Sequence, residues 1–273
     1  MVNSKVKTAV FVFAGAMAIT SYAQAATVSV ATYNPASHPN IPSFNVLASE
    51  DFESGVNRSG VSGPSVNGDD TFNVGVFKSI GGTGSGGTVR EAPSDCKSAA
   101  GADNLCLRSG NVYGRTNVFP FNGDGFLDSN DTYGINWKVG LLGGELFDTI
   151  SFTLMDAGDV GAFAGISASP FSIGDSPSAS DVFGLNGSEI MSPYNSNGNI
   201  QTVTIKFDQL VAEAFINIVS FAHSDGSLYL KNDGLGIDGV RVGISAVPLP
   251  AAGLLLLGAL GSLAFSRRKY KKT

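Results

Sequence analysis

Alternation of apolar and polar side chains is the dominant pattern between the two ends of this chain. In Thr149-Ile150-Ser151-Phe152-Thr153-Leu154-Met155, Ile150, Phe152 and Leu154 fall on one face and Thr149, Ser151 and Thr153 on the other. That is the period-2 signature of a strand. Thr202-Val203-Thr204-Ile205-Lys206-Phe207 repeats it. Further strands are predicted over 71–78, 105–108, 112–121, 134–139, 163–167, 214–222, 227–231 and 236–244, with turn-prone pieces such as Asn186-Gly187-Ser188 between them. No window between the ends sustains a helical period. About ten short strands with turn signals between them predict an all-β fold, a two-sheet antiparallel β-sandwich.

The ends follow a different pattern. Lys5 and Lys7 precede an apolar run over 8–19, and Ala23-Gln24-Ala25 follows it. A basic flank, a short apolar stretch and an A-x-A triplet are the parts of an export signal, so the expected helix is removed by signal peptidase between Ala25 and Ala26. At the other end Val247-Pro248-Leu249-Pro250-Ala251 leads into an apolar run over 252–265 and then Arg267-Arg268-Lys269-Tyr270-Lys271-Lys272. As a helix, residues 251–265 would reach about 22 Å against a hydrocarbon core of about 30 Å. Spanning therefore needs the flanking basic side chains to snorkel. The cations hold the terminus on the cytoplasmic side and the body outside, with the inner membrane as a transient partner. The expected organisation is a signal peptide at 1–25, one domain at 26–246 and a tail at 247–273, with the box at 247–251, a transmembrane helix at 252–265 and a basic cluster at 267–272.

The order of box, short apolar helix and basic cluster resembles the VPLPA variant of the PEP-CTERM sorting signal. That resemblance implies processing by an exosortase in the inner membrane of Gram-negative bacteria, and delivery to the cell surface or the extracellular matrix of a biofilm. A second resemblance frames the body. Glu50-Asp51-Phe52-Glu53 and Asp233-Gly234-Leu235-Gly236-Ile237-Asp238-Gly239-Val240-Arg241-Val242 are similar to the first and last strands of the jelly-roll domains common in such exported proteins. Relatives of that kind among carbohydrate-binding modules hold a structural calcium where those strands meet, which implies Glu53 and Asp238 as its carboxylates.

Charge narrows the partners. Seven of the 17 Lys and Arg lie in the two ends and all 23 Asp and Glu lie in the body, leaving residues 26–246 with a net charge of −13. Such a surface repels phosphate backbones, so nucleic acid is excluded as a partner, and it suits divalent cations. Cys96 and Cys106, the two cysteines, stand ten positions apart in a Gly- and Ser-rich stretch. In an oxidising compartment they read as one disulfide. The segment from Asn122 to Asp131 is similar to an EF-hand loop, with Asp124 and Asp128 as oxygen ligands, Gly125 at a bend and Leu127 pointing inward; it is either a calcium loop or an Asx-rich turn.

Catalytic patterns are missing from the sequence. Gly82-Thr83-Gly84-Ser85-Gly86-Gly87 matches G-x-G-x-x-G in form, but Pro93 stands where a dinucleotide site needs a helix. No G-x-S-x-G, H-E-x-x-H or Walker loop occurs, and only His38 and His223 could serve as an imidazole base. The expectation is a non-enzymatic surface or matrix protein with no cofactor beyond a structural calcium. The alternative is an exopolysaccharide-binding module, with Tyr113, Tyr133 and Trp137 as sugar-stacking rings; core packing accounts for the same rings.

Overall fold

The computed structural model describes residues 25–33, 44–53, 70–81, 89–91, 105–109, 125–129, 132–158, 161–190, 198–229 and 234–245. The expected signal helix, the strand at 112–121 and the sorting tail lie outside these residues. In chain order the strands are β1 (Ala26–Thr32), β2 (Phe44–Glu50), β3 (Asp70–Phe72), β4 (Gly75–Ile80), β5 (Val89–Glu91), β6 (Leu105–Ser109) and β7 (Gly125–Asp128). Then follow β8 (Gly134–Val139), β9 (Phe147–Met155), β10 (Ala162–Ser169), a short helix α1 (Ala179–Phe183), β11 (Gly187–Ile190), β12 (Ile200–Val211), β13 (Ala214–Ala222) and β14 (Gly236–Ser245).

The strands form two sheets, an eight-stranded one in the order β1-β12-β9-β14-β7-β6-β5 with β2 on β14, and a six-stranded one in the order β11-β10-β13-β8-β4-β3. Neighbours are antiparallel except β5 and β6. Apolar residues from both sheets meet in one core. From the large sheet come Ile150, Phe152, Leu154, Val203, Ile205 and Val242; from the small one Phe77, Ile135, Trp137, Ile166, Ile216 and Ile218. Trp137 of β8 reaches across to Phe152 of β9 edge to face, at 6.1 Å between ring centroids. The molecule is therefore a sandwich of two mostly antiparallel sheets.

Alternation located β8, β9, β10, β12, β13 and β14 because each presents a continuous apolar row to that core. The stretch at 71–78 is a correction: Gly75, with φ at 123°, turns it into the hairpin of β3 and β4. A left-handed backbone excludes a single straight strand through that point. Residues 227–229 form only an isolated bridge, Phe221 to Leu228. The expectation of no helix is also corrected, by α1. Ser178 caps it: its Oγ accepts the Asp181 N–H at 3.3 Å, while the Asp181 carboxylate accepts the Ser178 N–H at 2.7 Å. Five residues of helix past a cap are too few to show as a 3.6 period.

Topology brings Ala26, the start of β1, and Ser245, the end of β14, to one pole. β1 starts beside Phe207, near the end of β12, and β14 ends at Ser245 opposite Phe44. β9 starts at Phe147 opposite Val211, the last residue of β12. The same pole carries the 140–146 loop from β8 to β9 and the two-residue link from β12 to β13. Ser245 is fixed there by its N–H to Asp148 Oδ1 at 2.6 Å and its hydroxyl on Thr149 Oγ1 at 2.7 Å.

Candidate functional site

The two segments that frame the body in sequence are neighbours in space. β2 runs antiparallel to β14 with Glu50 opposite Val240, while β7 pairs with the start of the same edge of β14, Asp128 opposite Gly236. The chain leaves β2 through a tight turn. Glu50 Oε1 accepts the Phe52 N–H at 3.0 Å and Asp51 Oδ1 accepts the Glu53 N–H at 3.2 Å, which holds Phe52 at a left-handed φ of 58°. The Phe52 ring repays that strain by packing edge-on against Phe72 and Phe77 at 5.5 and 5.8 Å. Glu53 Oε1 then accepts the Gly125 N–H at 2.6 Å, tying the turn to the start of β7. A side chain at Gly125 would stand 2.6 Å from the Phe52 carbonyl, so glycine is what lets the two backbones approach.

Glu50 is the unusual group of this junction. It is buried, and its Oε2 has no hydrogen-bond partner among the described residues. Burial pushes its carboxyl above the ordinary value, with the Asp51 charge adding to the rise and backbone N–H groups of Phe52, Asn73 and Asp51 opposing it.

Two sets of calcium ligands are expected, Glu53 with Asp238 and Asp124 with Asp128. Glu53 faces the Gly125 amide and buried Asp238 takes the N–H of its neighbour Gly239 on Oδ1 at 2.5 Å. Asp128 does not sit in an EF-hand-like loop: it ends strand β7, fully buried, and pairs with Arg108 of β6. A guanidinium already supplies the positive charge a cation would bring, so Asp128 does not fit the calcium role. Gly125 is in that strand and not at a bend, because its neighbours Phe126 and Leu127 are core residues that need the period of a strand. Leu127 does point inward. Asp124 lies outside the described residues. Among the described residues, no three His, Cys, Asp or Glu side chains gather as a metal group.

The sugar-stacking rings are corrected in part. Trp137 is 0 % exposed, stacked on Phe77 at 5.2 Å between centroids, with its indole N–H on the Val74 carbonyl at 3.1 Å. No sugar reaches a ring in that position; it faces inward because its parity on β8 matches Ile135 and Val139. Tyr133 is half-buried and packs with Ile80, Val219 and Phe221 on the outer side of the small sheet. Tyr113 lies outside the described residues. His223 is exposed in the turn after β13, with Phe163 as its ring neighbour at 5.4 Å. Cys106 is disulfide-bonded; Cys96, the partner expected from the sequence, lies outside the described residues. Ala25 and Ala26 begin the described chain, Ala26 as the first residue of β1; Ala23 and the 247–251 box lie outside it.

Two features escaped the sequence. Asn136, Asn217 and Ser167 are buried and linked by side-chain hydrogen bonds across β8, β13 and β10. Their registry, unlike their strand parity, has no signature in the chain. A groove of about 500 Å³ lies between β2 and the 140–146 loop, lined by Val46, Leu47, Asn73, Leu142 and Glu145 among others. The pair Leu141-Leu142 before Gly143-Gly144 was the available signal for it. No family model, no curated protein and no solved structure matches this chain.

Proposed function

We propose that this chain is a non-enzymatic, exported surface or matrix protein, a jelly-roll-type body carried between a removable signal peptide and an exosortase-type sorting tail. The observation that carries the reading is the common pole: the start of β1 and the end of β14 leave the same end of the sandwich. Both membrane-seeking segments, 8–19 and 252–265, then enter one bilayer from one side without crossing the domain. The jelly-roll likeness draws support from the pairing of β2 with β14, which makes neighbours of the two framing segments. Export to an oxidising compartment agrees with the disulfide at Cys106. An acidic body on this reading keeps the delivered domain soluble.

The test is processing in the native host. Mass spectrometry of the mature protein is expected to find an N-terminus at Ala26 and a C-terminus within or near 247–251. Deleting 247–273 is expected to leave a soluble periplasmic protein. Unchanged surface delivery of the truncated chain would overturn the sorting role.

A further inference from the structure

Six large apolar side chains are exposed among the described residues, Val46, Leu47, Leu142, Leu146, Leu210 and Phe171. All but Phe171 belong to the segments at the pole where β14 ends. Leu146 immediately precedes Phe147 and Leu210 immediately precedes Val211, which are paired with each other. Val46 lies opposite Gly243, two residues before Ser245, and shares its groove with Leu47 and Leu142. Leu47 is the extra residue of a bulge between the Val242 and Gly243 pairings, and that irregularity turns neighbouring side chains outward together. Leu142 is 65 % exposed. Leucines this exposed, clustered on one end of a domain with a net charge of −13, mark a surface with a partner.

Chain length says which partner. Residues 246–251 separate Ser245 from the apolar run at 252–265, and six residues span at most about 20 Å. The pole bearing the leucines is therefore the part of the body nearest to whatever the apolar run enters. Resting on the reading that this run enters a bilayer, we propose that the leucine-bearing pole of the sandwich lies against the lipid surface while the tail is in place. Val46, Leu47, Leu142, Leu146 and Leu210 then bury their side chains at the headgroup boundary, and the body is held in one orientation with the 246–251 peptide beside it. A second copy of the chain fits this surface less well, since the bulge at Leu47 disrupts the β2 edge that strand addition would use, and two bodies of −13 repel one another. Glu145 and Asp148 at this pole favour zwitterionic over anionic lipid.

Single-tryptophan reporters test this on the chain spanning 26–273, reconstituted in phosphatidylcholine vesicles with and without brominated acyl chains. Trp137, the one native tryptophan, is buried and supplies a constant background. Leu142→Trp and Leu210→Trp are expected to lose about half of the emission they add when the lipid is brominated, as rings seated at the acyl boundary would. Ser224→Trp, in the exposed turn at the opposite pole, is expected to keep its own. Flotation with vesicles but equal quenching at the three positions would overturn the docking surface and leave the anchor reading intact. Failure to float would overturn the anchor reading and this proposal with it. A blue shift at Leu142→Trp without lipid, rising with protein concentration alongside a sedimenting dimer, would assign the surface to a second copy and also overturn it.

Discussion

Replacing Trp137 by Phe separates a structural ring from a binding ring. The substitution removes the indole N–H that meets the Val74 carbonyl at 3.1 Å, in a position with no access to water. An orphaned buried carbonyl costs about 1–3 kcal/mol. The smaller ring also leaves a void on the order of 40 Å³ between Phe77 and Phe152, and at about 24 cal/mol per Å³ that adds roughly 1 kcal/mol. The stack on Phe77 survives in part, since a phenyl ring keeps the parallel face. The expected loss is about 2–4 kcal/mol, a large share of the total stability of a domain. For a body of this size that lowers the melting temperature by about 10 °C. Far-UV circular dichroism during heating and urea titration measures it. Wild-type tryptophan emission is expected to be blue-shifted, poorly quenched by acrylamide and unchanged by added polysaccharide. A loss below about 1 kcal/mol, or emission that responds to acrylamide like a free indole, would refute the assignment of Trp137 to the core.

Three further outcomes follow from the same geometry. Because Glu50 has its carboxyl raised above 4.5 by burial, its contribution to stability is complete below that value and is lost as pH rises through the elevated native one. Glu50→Gln, which mimics the protonated acid, is therefore expected to melt higher than wild type near neutral pH and to reduce the decline between acid and neutral conditions; parallel melting curves for the two proteins would count against it. Reducing the disulfide of Cys106, or Cys106→Ser, is expected to cost about 2–3 kcal/mol in thermal melting, as expected for a short closed loop. Gly75→Ala is expected to destabilise by about 2 kcal/mol or more, because its Cβ would lie 2.1 Å from the Lys138 carbonyl at a φ of 123°. Gly144→Ala, with φ at 73° and open space around it, is the matched control and is expected to cost about 1 kcal/mol in the same urea titration.

Much of the sheet content could be read directly from the chain, since alternation is a local property. β8 and β13 coincide with the predicted spans, and β9, β10, β12 and β14 contain theirs, because apolar side chains recur on the face of each that meets the core; burial itself alternates only along β12, the others being buried at almost every position. β2 escaped because it is largely exposed and its pattern carries little contrast, whereas β1 does alternate, with Val28 and Val30 half-buried against the core between exposed Thr27, Ser29 and Ala31. The hairpin of β3 and β4 was hidden because Asn73-Val74 interrupts the polar pattern no more than a strand would, and only the left-handed Gly75 marks the turn. The 122–131 segment misled for a physical reason too. Closely spaced Asp and Asn residues suit calcium or a turn equally, and the partner that decides, Arg108 on Asp128, stands 20 residues away.

The amino-acid order alone determined the two apolar ends, the acidic body between them, the cysteine pair and the preference for strands, since each depends on composition or on contacts within a few residues. Tertiary structure decided the rest: which face of β8 takes Trp137 out of water, that Glu50 is buried with one oxygen unmatched among the described residues, and that the start of β1 and the end of β14 share one pole with exposed leucines. Those depend on strands distant in sequence lying side by side, and the register of such pairs is set by the packing of the whole core rather than by any segment of the chain.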